Sequence, residues 1–130
     1  MAGLYTLSKH ERLISRKLID KIFNREGEMI SKFPLSFIFV KNELKSKFPA
    51  QIMFSVPTRK FKKAHDRNRI KRLLKEAYRL QKPSFYQSIV NGSGRQYACC
   101  LMFNSDVMPD LEGINQKIQL IFNEFSSRVS

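Results

Sequence analysis

Tryptophan is absent from this 130-residue chain, and cysteine, histidine, glycine and acid are all scarce. The two cysteines, Cys99 and Cys100, are adjacent. Neighbours in a strand point to opposite faces, so a mutual disulfide is disfavoured and two buried, reduced thiols are expected, as in a cytoplasmic protein. The two histidines, His10 and His65, stand far apart, and neither has a Cys or His partner at zinc spacing. His65, beside a cation cluster, fits a polar helix-entry residue better than a catalyst. Eleven Asp and Glu are thinly spread; Asp106, Asp110 and Glu112 form the single cluster, which a helix N-terminus explains. That disfavours a stand-alone metal nuclease. Gly92-Ser93-Gly94 lacks the lysine and flanking pattern of a phosphate-binding loop. No apolar run approaches the roughly 18 residues of a membrane span. Met1 to Lys9 holds no apolar segment of signal-peptide type. The expectation is a soluble cytoplasmic protein with no membrane partner, no small-molecule cofactor and no polypeptide active site.

Positive charge is what the chain has in excess. Twenty-four Lys and Arg give a net charge of +13 and a pI near 10.1. With 42% hydrophobic residues this is a globular chain rather than a tail, and its length suits one domain, 1–130, with a core from about 7 to 125. Such a balance points first to nucleic acid as partner. Eleven of the bases fall between Thr58 and Lys82, against two acids, Asp66 and Glu76.

The pattern predicts helices packed on a small sheet, in the order α-β-β-(β)-α-β-α. Ser8 with Glu11 forms a capping box for a first helix running towards Glu26, with Leu13, Leu18, Ile19, Ile22 and Phe23 apolar and Gly27 as its stop. Arg12, Arg16, Lys17 and Lys21 give it a weaker basic surface. Leu35–Val40 reads as a strand, with Leu35, Phe37 and Phe39 on one face and Ser36, Ile38 and Val40 on the other. The stretch from Lys41 to Pro49 reads as a hairpin loop, Gln51–Val56 as the returning strand, and Pro57 as its end. Asp66 is placed to cap a long helix that ends near Gln81, before Pro83. Ser84–Val90 suits a short helical turn, and Asn91–Gly94 a loop. Gln96–Phe103 is a buried strand. Asp110–Phe125 closes the chain as a helix, with Leu111, Ile114, Ile118, Ile121, Phe122 and Phe125 inward.

The long helix carries the chemistry. At 100° per residue Ile70, Leu73, Leu74, Ala77 and Leu80 share a sector, and Arg67, Asn68, Lys71, Arg72, Lys75 and Arg79 are expected on the other side. Arginine holds a phosphate by a planar fork and lysine by a mobile charge. Asn68 brings a donor and an acceptor for a base edge or a 2′-hydroxyl. Arg69 lies off the main basic sector.

The run Arg67-Asn68-Arg69-Ile70-Lys71-Arg72, continued by Leu73-Leu74-Lys75-Glu76-Ala77-Tyr78-Arg79, resembles the signature helix of the bacterial ribonuclease P protein subunit. Lys9-His10-Glu11-Arg12-Leu13 and Lys21-Ile22-Phe23 resemble that family's opening helix, and Ser55-Val56-Pro57-Thr58-Arg59-Lys60 its strand end and basic loop. The resemblance spans roughly Leu7 to Phe125. It implies a left-handed strand-helix-strand crossover holding the signature helix, against the usual hand, in the fold of the second domain of a small-subunit ribosomal protein. It also implies a partner: a catalytic RNA that removes the 5′ leader of precursor tRNA and itself holds most of the Mg2+, the protein supplying no catalytic residue and its own metal contacts left open. By similarity Arg59, Lys60, Lys63, Arg67, Asn68, Arg69, Lys71, Arg72, Lys75 and Arg79 contact RNA. Arg12, Ile19, Phe23, Phe37 and Phe39 are the candidates for a cleft that guides the single-stranded leader. Phe37 and Phe39 fit a core equally well and share one fate. His65 and Asp66 stand where the family has two apolar residues, Lys62 where it has a loop glycine, and Ile19 where it often has an aromatic. The alternative is a general basic RNA-binding or ribosomal protein with no part in cleavage.

Overall fold

A computed structural model describes residues 7–24 and 26–129. A 3-10 turn (Lys9–Glu11) precedes α1 (Arg16–Phe23), β1 (Glu28–Lys32), β2 (Leu35–Lys41), β3 (Ala50–Ser55), α2 (Ala64–Asn91), β4 (Tyr97–Phe103) and α3 (Leu111–Val129). The class is α+β, as expected, with β1 as the extra strand. The sheet order is β1-β2-β4-β3. β4 runs antiparallel to β2 and parallel to β3, so β3, α2 and β4 form a strand-helix-strand crossover.

The expected β2–β3 hairpin does not form, because β4 lies between the two strands. β4 is apolar on both faces and buried along nearly its whole length, so it takes an interior position. The hairpin present is β1–β2, turned at the cis Phe33–Pro34 bond.

The sheet has two covered faces. Phe37, Phe39, Ile52, Cys99 and Leu101 pack with Tyr78, Phe85, Ile118, Phe122 and Phe125 from α2 and α3. Val40, Ala98 and Cys100 pack on the other side with Leu13, Leu18 and Ile22. The adjacent cysteines therefore enter different cores, and both are free thiols. Burial pushes the Cys100 thiol up to about 12 and Cys99 well above its ordinary value.

All three helices have bounds other than those expected. The capping pair at Ser8 and Glu11 closes only the 3-10 turn, with the Glu11 carboxylate accepting from the Ser8 N–H at 3.0 Å. Arg12 then pairs with Ile52 as an added parallel bridge, and the Leu13 N–H donates to the Ile52 carbonyl at 2.9 Å. That β contact keeps the chain extended until Ser15 caps α1. α1 ends at Phe23, so Gly27 is not its stop; a Cβ at Gly27 would collide with the Phe39 carbonyl where β1 meets β2.

α2 does not stop before Pro83 but continues to Asn91, joining the expected long helix and helical turn. Phe85 and Ile89, buried against the sheet and α3, hold the continuation in place. Its cap is Lys63, and Asp66 instead sits in the first turn, where its charge still suits the helix dipole. Asp110 caps α3, its carboxylate accepting from the Gly113 N–H at 2.8 Å, and α3 runs past Phe125 to Val129.

A buried ion pair joins the N-terminal turn to α2. Lys82 Nζ lies 2.9 Å from Glu11 Oε2, and both residues are almost wholly buried. The Tyr86 hydroxyl donates to the same carboxylate at 2.7 Å. Burial alone would raise the Glu11 carboxyl, but hydrogen bonds from Lys82, the Ser8 N–H and Tyr86 outweigh it and hold the group below the usual carboxylate range.

Candidate nucleic-acid interface

α2 enters the core along Ile70, Leu74, Ala77, Tyr78, Phe85 and Ile89. That stripe fixes which side chains remain outside. Asn68, Arg69, Arg72 and Lys75 are exposed, so Arg69, off the main basic sector in the sequence pattern, lies on the outer face with them. Lys71 and Arg79 are half-buried at the margins, and Leu80, expected inward, is 44% exposed. Arg79 forms a forked ion pair with Glu76, at 3.0 and 2.6 Å; this contact lowers the Glu76 carboxyl and raises the Arg79 guanidinium.

Arg67 has a different place. Its Nη1 donates to the carbonyls of Phe61 and Lys62, each at 2.8 Å. Phe61 packs against the core beside Phe103, with ring centroids 6.2 Å apart. One guanidinium and one ring thus anchor the loop before α2, and Arg59, Lys60, Lys62 and Lys63 project from it exposed. Loop and helix face are contiguous in sequence and together offer a dense set of phosphate donors.

The cleft candidates divide. Phe37 and Phe39 are 0% and 2% exposed and lie within the ring cluster of Phe85, Phe122 and Phe125. They are core residues, not cleft residues. α3 covers their side of β2, so the aromatic face is the more deeply buried one. The α1 side of the sheet instead presents Ile38 and Met53, partly buried beside Ile19. Phe23 on α1 is 49% exposed, as a stacking surface requires, and Arg12 is exposed at the start of the same layer. The strand alternation already separated Ile38 from Phe37; what it lacked was which face α3 would cover.

Among the described residues no group of three His, Cys, Asp or Glu stands together to hold a metal ion. Glu11, Glu76 and Glu124 are each engaged by cationic side chains. No described helix is long and apolar enough to cross a membrane.

The fold and this surface define a class: a small α+β protein with arginine and lysine displayed on the outer face of one long helix and on the anchored loop before it. The sequence model of the family described as Ribonuclease P matches residues 7–122, and the chain belongs to that family. The ribonuclease P protein component of Porphyromonas gingivalis is 30% identical over 115 residues, covering 88% of this chain and 82% of that protein. That of Chlorobaculum tepidum is 27% identical, covering 95% and 85%. The solved structure of the ribonuclease P protein from Thermotoga maritima superposes with a TM-score of 0.67 at 19% identity, over 88% of this chain and 96% of that one. The chain is thus a protein component of ribonuclease P, the tRNA 5′-maturation endoribonuclease.

Proposed function

We propose that the chain, acting as one unit over about residues 7–125, binds the catalytic RNA of ribonuclease P through the loop 59–63 and the outer face of α2, and receives the precursor-tRNA leader beside α1. The observation that carries this is the separation of duties along α2. One side is sunk in the core, and the other holds Asn68, Arg69, Arg72 and Lys75 exposed next to an anchored cationic loop. Arg59, Lys60, Lys63, Lys71 and Arg79 extend that surface, while Arg67 sets the loop's shape. Arg12, Ile19 and Phe23, with Ile38 beneath, offer a cation, an aliphatic wall and an exposed ring to a single strand.

Among the described residues the carboxylates form no clustered ligand set, and we place Mg2+ with the RNA. The protein's contribution is then to neutralise phosphates and to hold the leader, so that fewer free cations are needed. A cytoplasmic location follows from that partnership. Precursor-tRNA cleavage by a bacterial ribonuclease P RNA at low magnesium, with and without the protein, tests this. Strong stimulation, with no cleavage by protein alone, is expected; tight RNA binding without stimulation would leave only a general RNA-binding role.

A further inference from the structure

α1 has two unlike flanks. With Leu18 and Ile22 buried, the helical period turns Ile19 and Phe23 to one side and Lys17 and Lys21 to the other. The Lys17 side faces a groove of about 850 Å³ between the N-terminal turn, α1 and the β2–β3 loop. Lys9, Arg12, Lys17, Lys21 and Lys45 line it, against one carboxylate, Glu43. Its walls are braced: Lys21 Nζ donates to Asn42 Oδ1 at 3.2 Å, and the Ser46 hydroxyl and Gln51 amide both donate to the His10 carbonyl, at 2.9 and 3.1 Å. Leu18 and the exposed Ile14 give it an apolar lining.

We propose that this groove is a second RNA track, which takes the phosphodiester backbone of single-stranded RNA upstream of the segment held at Phe23. The inference rests on the function proposed above. Five cations around one narrow groove match a single strand's run of phosphates, and the apolar lining accepts a base or ribose face. No residue of α2 lines the groove, so it lies apart from the α2 surface. Two RNAs bring this chemistry, a long leader or a single-stranded segment of the RNA subunit, and Arg12 at the groove's edge makes the leader the nearer source.

The test uses the reconstituted holoenzyme and precursor tRNAs with short and long leaders, comparing the native chain with Lys17→Ala/Lys45→Ala. A second variant, Lys41→Ala/Lys117→Ala, removes the same charge outside the groove. The groove variant is expected to bind the long-leader substrate on the order of tenfold more weakly, and to lower the log-log salt slope by roughly 0.7 for each phosphate left without its cation. Short-leader binding and the control variant should stay at the native level. A loss confined to RNA-subunit affinity would keep the RNA track but assign it to that subunit. Equal affinity of all three proteins for both leaders and for the RNA subunit would overturn the proposal, while native stimulation of cleavage would leave the proposed function standing.

Discussion

Glu11 and Lys82 tie the N-terminal turn to α2 through a buried ion pair. Removing one member of a buried pair leaves the other charge uncompensated, at a cost of about 3–5 kcal/mol. Lys82→Ala should therefore lower stability in urea by about that amount, and Lys82→Met combined with Glu11→Gln by clearly less. The pair also sets an acid limit. A carboxyl lowered in the folded state contributes fully above its unfolded pKa, near ~4.3, and that contribution is lost as pH falls through the native value. Stability measured from pH 6 down to 3 should fall more steeply for the native chain than for Glu11→Gln. None of this was legible in the sequence, where Glu11 is a capping residue and Lys82 one cation among eleven. Their contact joins residues 71 positions apart, and no local pattern encodes it. The cysteines were legible, because alternation alone sends Cys99 and Cys100 to opposite faces; both should resist thiol reagents until the protein unfolds.

α2 shows how far periodicity reaches. Its buried stripe could be read in advance at Ile70, Leu74 and Ala77, and Leu74→Ala should cost about 2–5 kcal/mol with the exposed cationic face untouched. Its length could not, because Pro83 ordinarily marks a boundary and only packing of Phe85 and Ile89 carries the helix through it. Pro83→Ala should accordingly raise the melting temperature. The margins of the face were also hidden. Arg67 looks like a phosphate ligand in sequence, yet in the fold it closes the loop through two carbonyls. Arg67→Ala should cost about 1.5–3 kcal/mol in thermal denaturation as well as RNA affinity, whereas Arg69→Ala should cost affinity alone. In the same way β2 announced its alternation, but only the arrival of α3 decided that Phe37 and Phe39 would be core.

At the scale of the whole molecule, two cores back one sheet and leave the cations on the surface between Arg59 and Lys75 and around α1. The strand order depended on pairings distant in sequence, so β4 separating β2 from β3 was out of reach of a local pattern. The family, by contrast, was legible from the signature helix and its flanks. The central claim is that the outer face of α2 binds RNA while its inner face folds the domain. The most direct measurement is affinity for ribonuclease P RNA across a salt series, for the native chain and Arg69→Ala/Arg72→Ala, with melting curves alongside. The account predicts weaker binding, a log-log slope shallower by roughly 0.7 to 0.9 for each phosphate no longer neutralised, and unchanged melting. Unchanged affinity and slope, with both arginines gone and the fold intact, would contradict it.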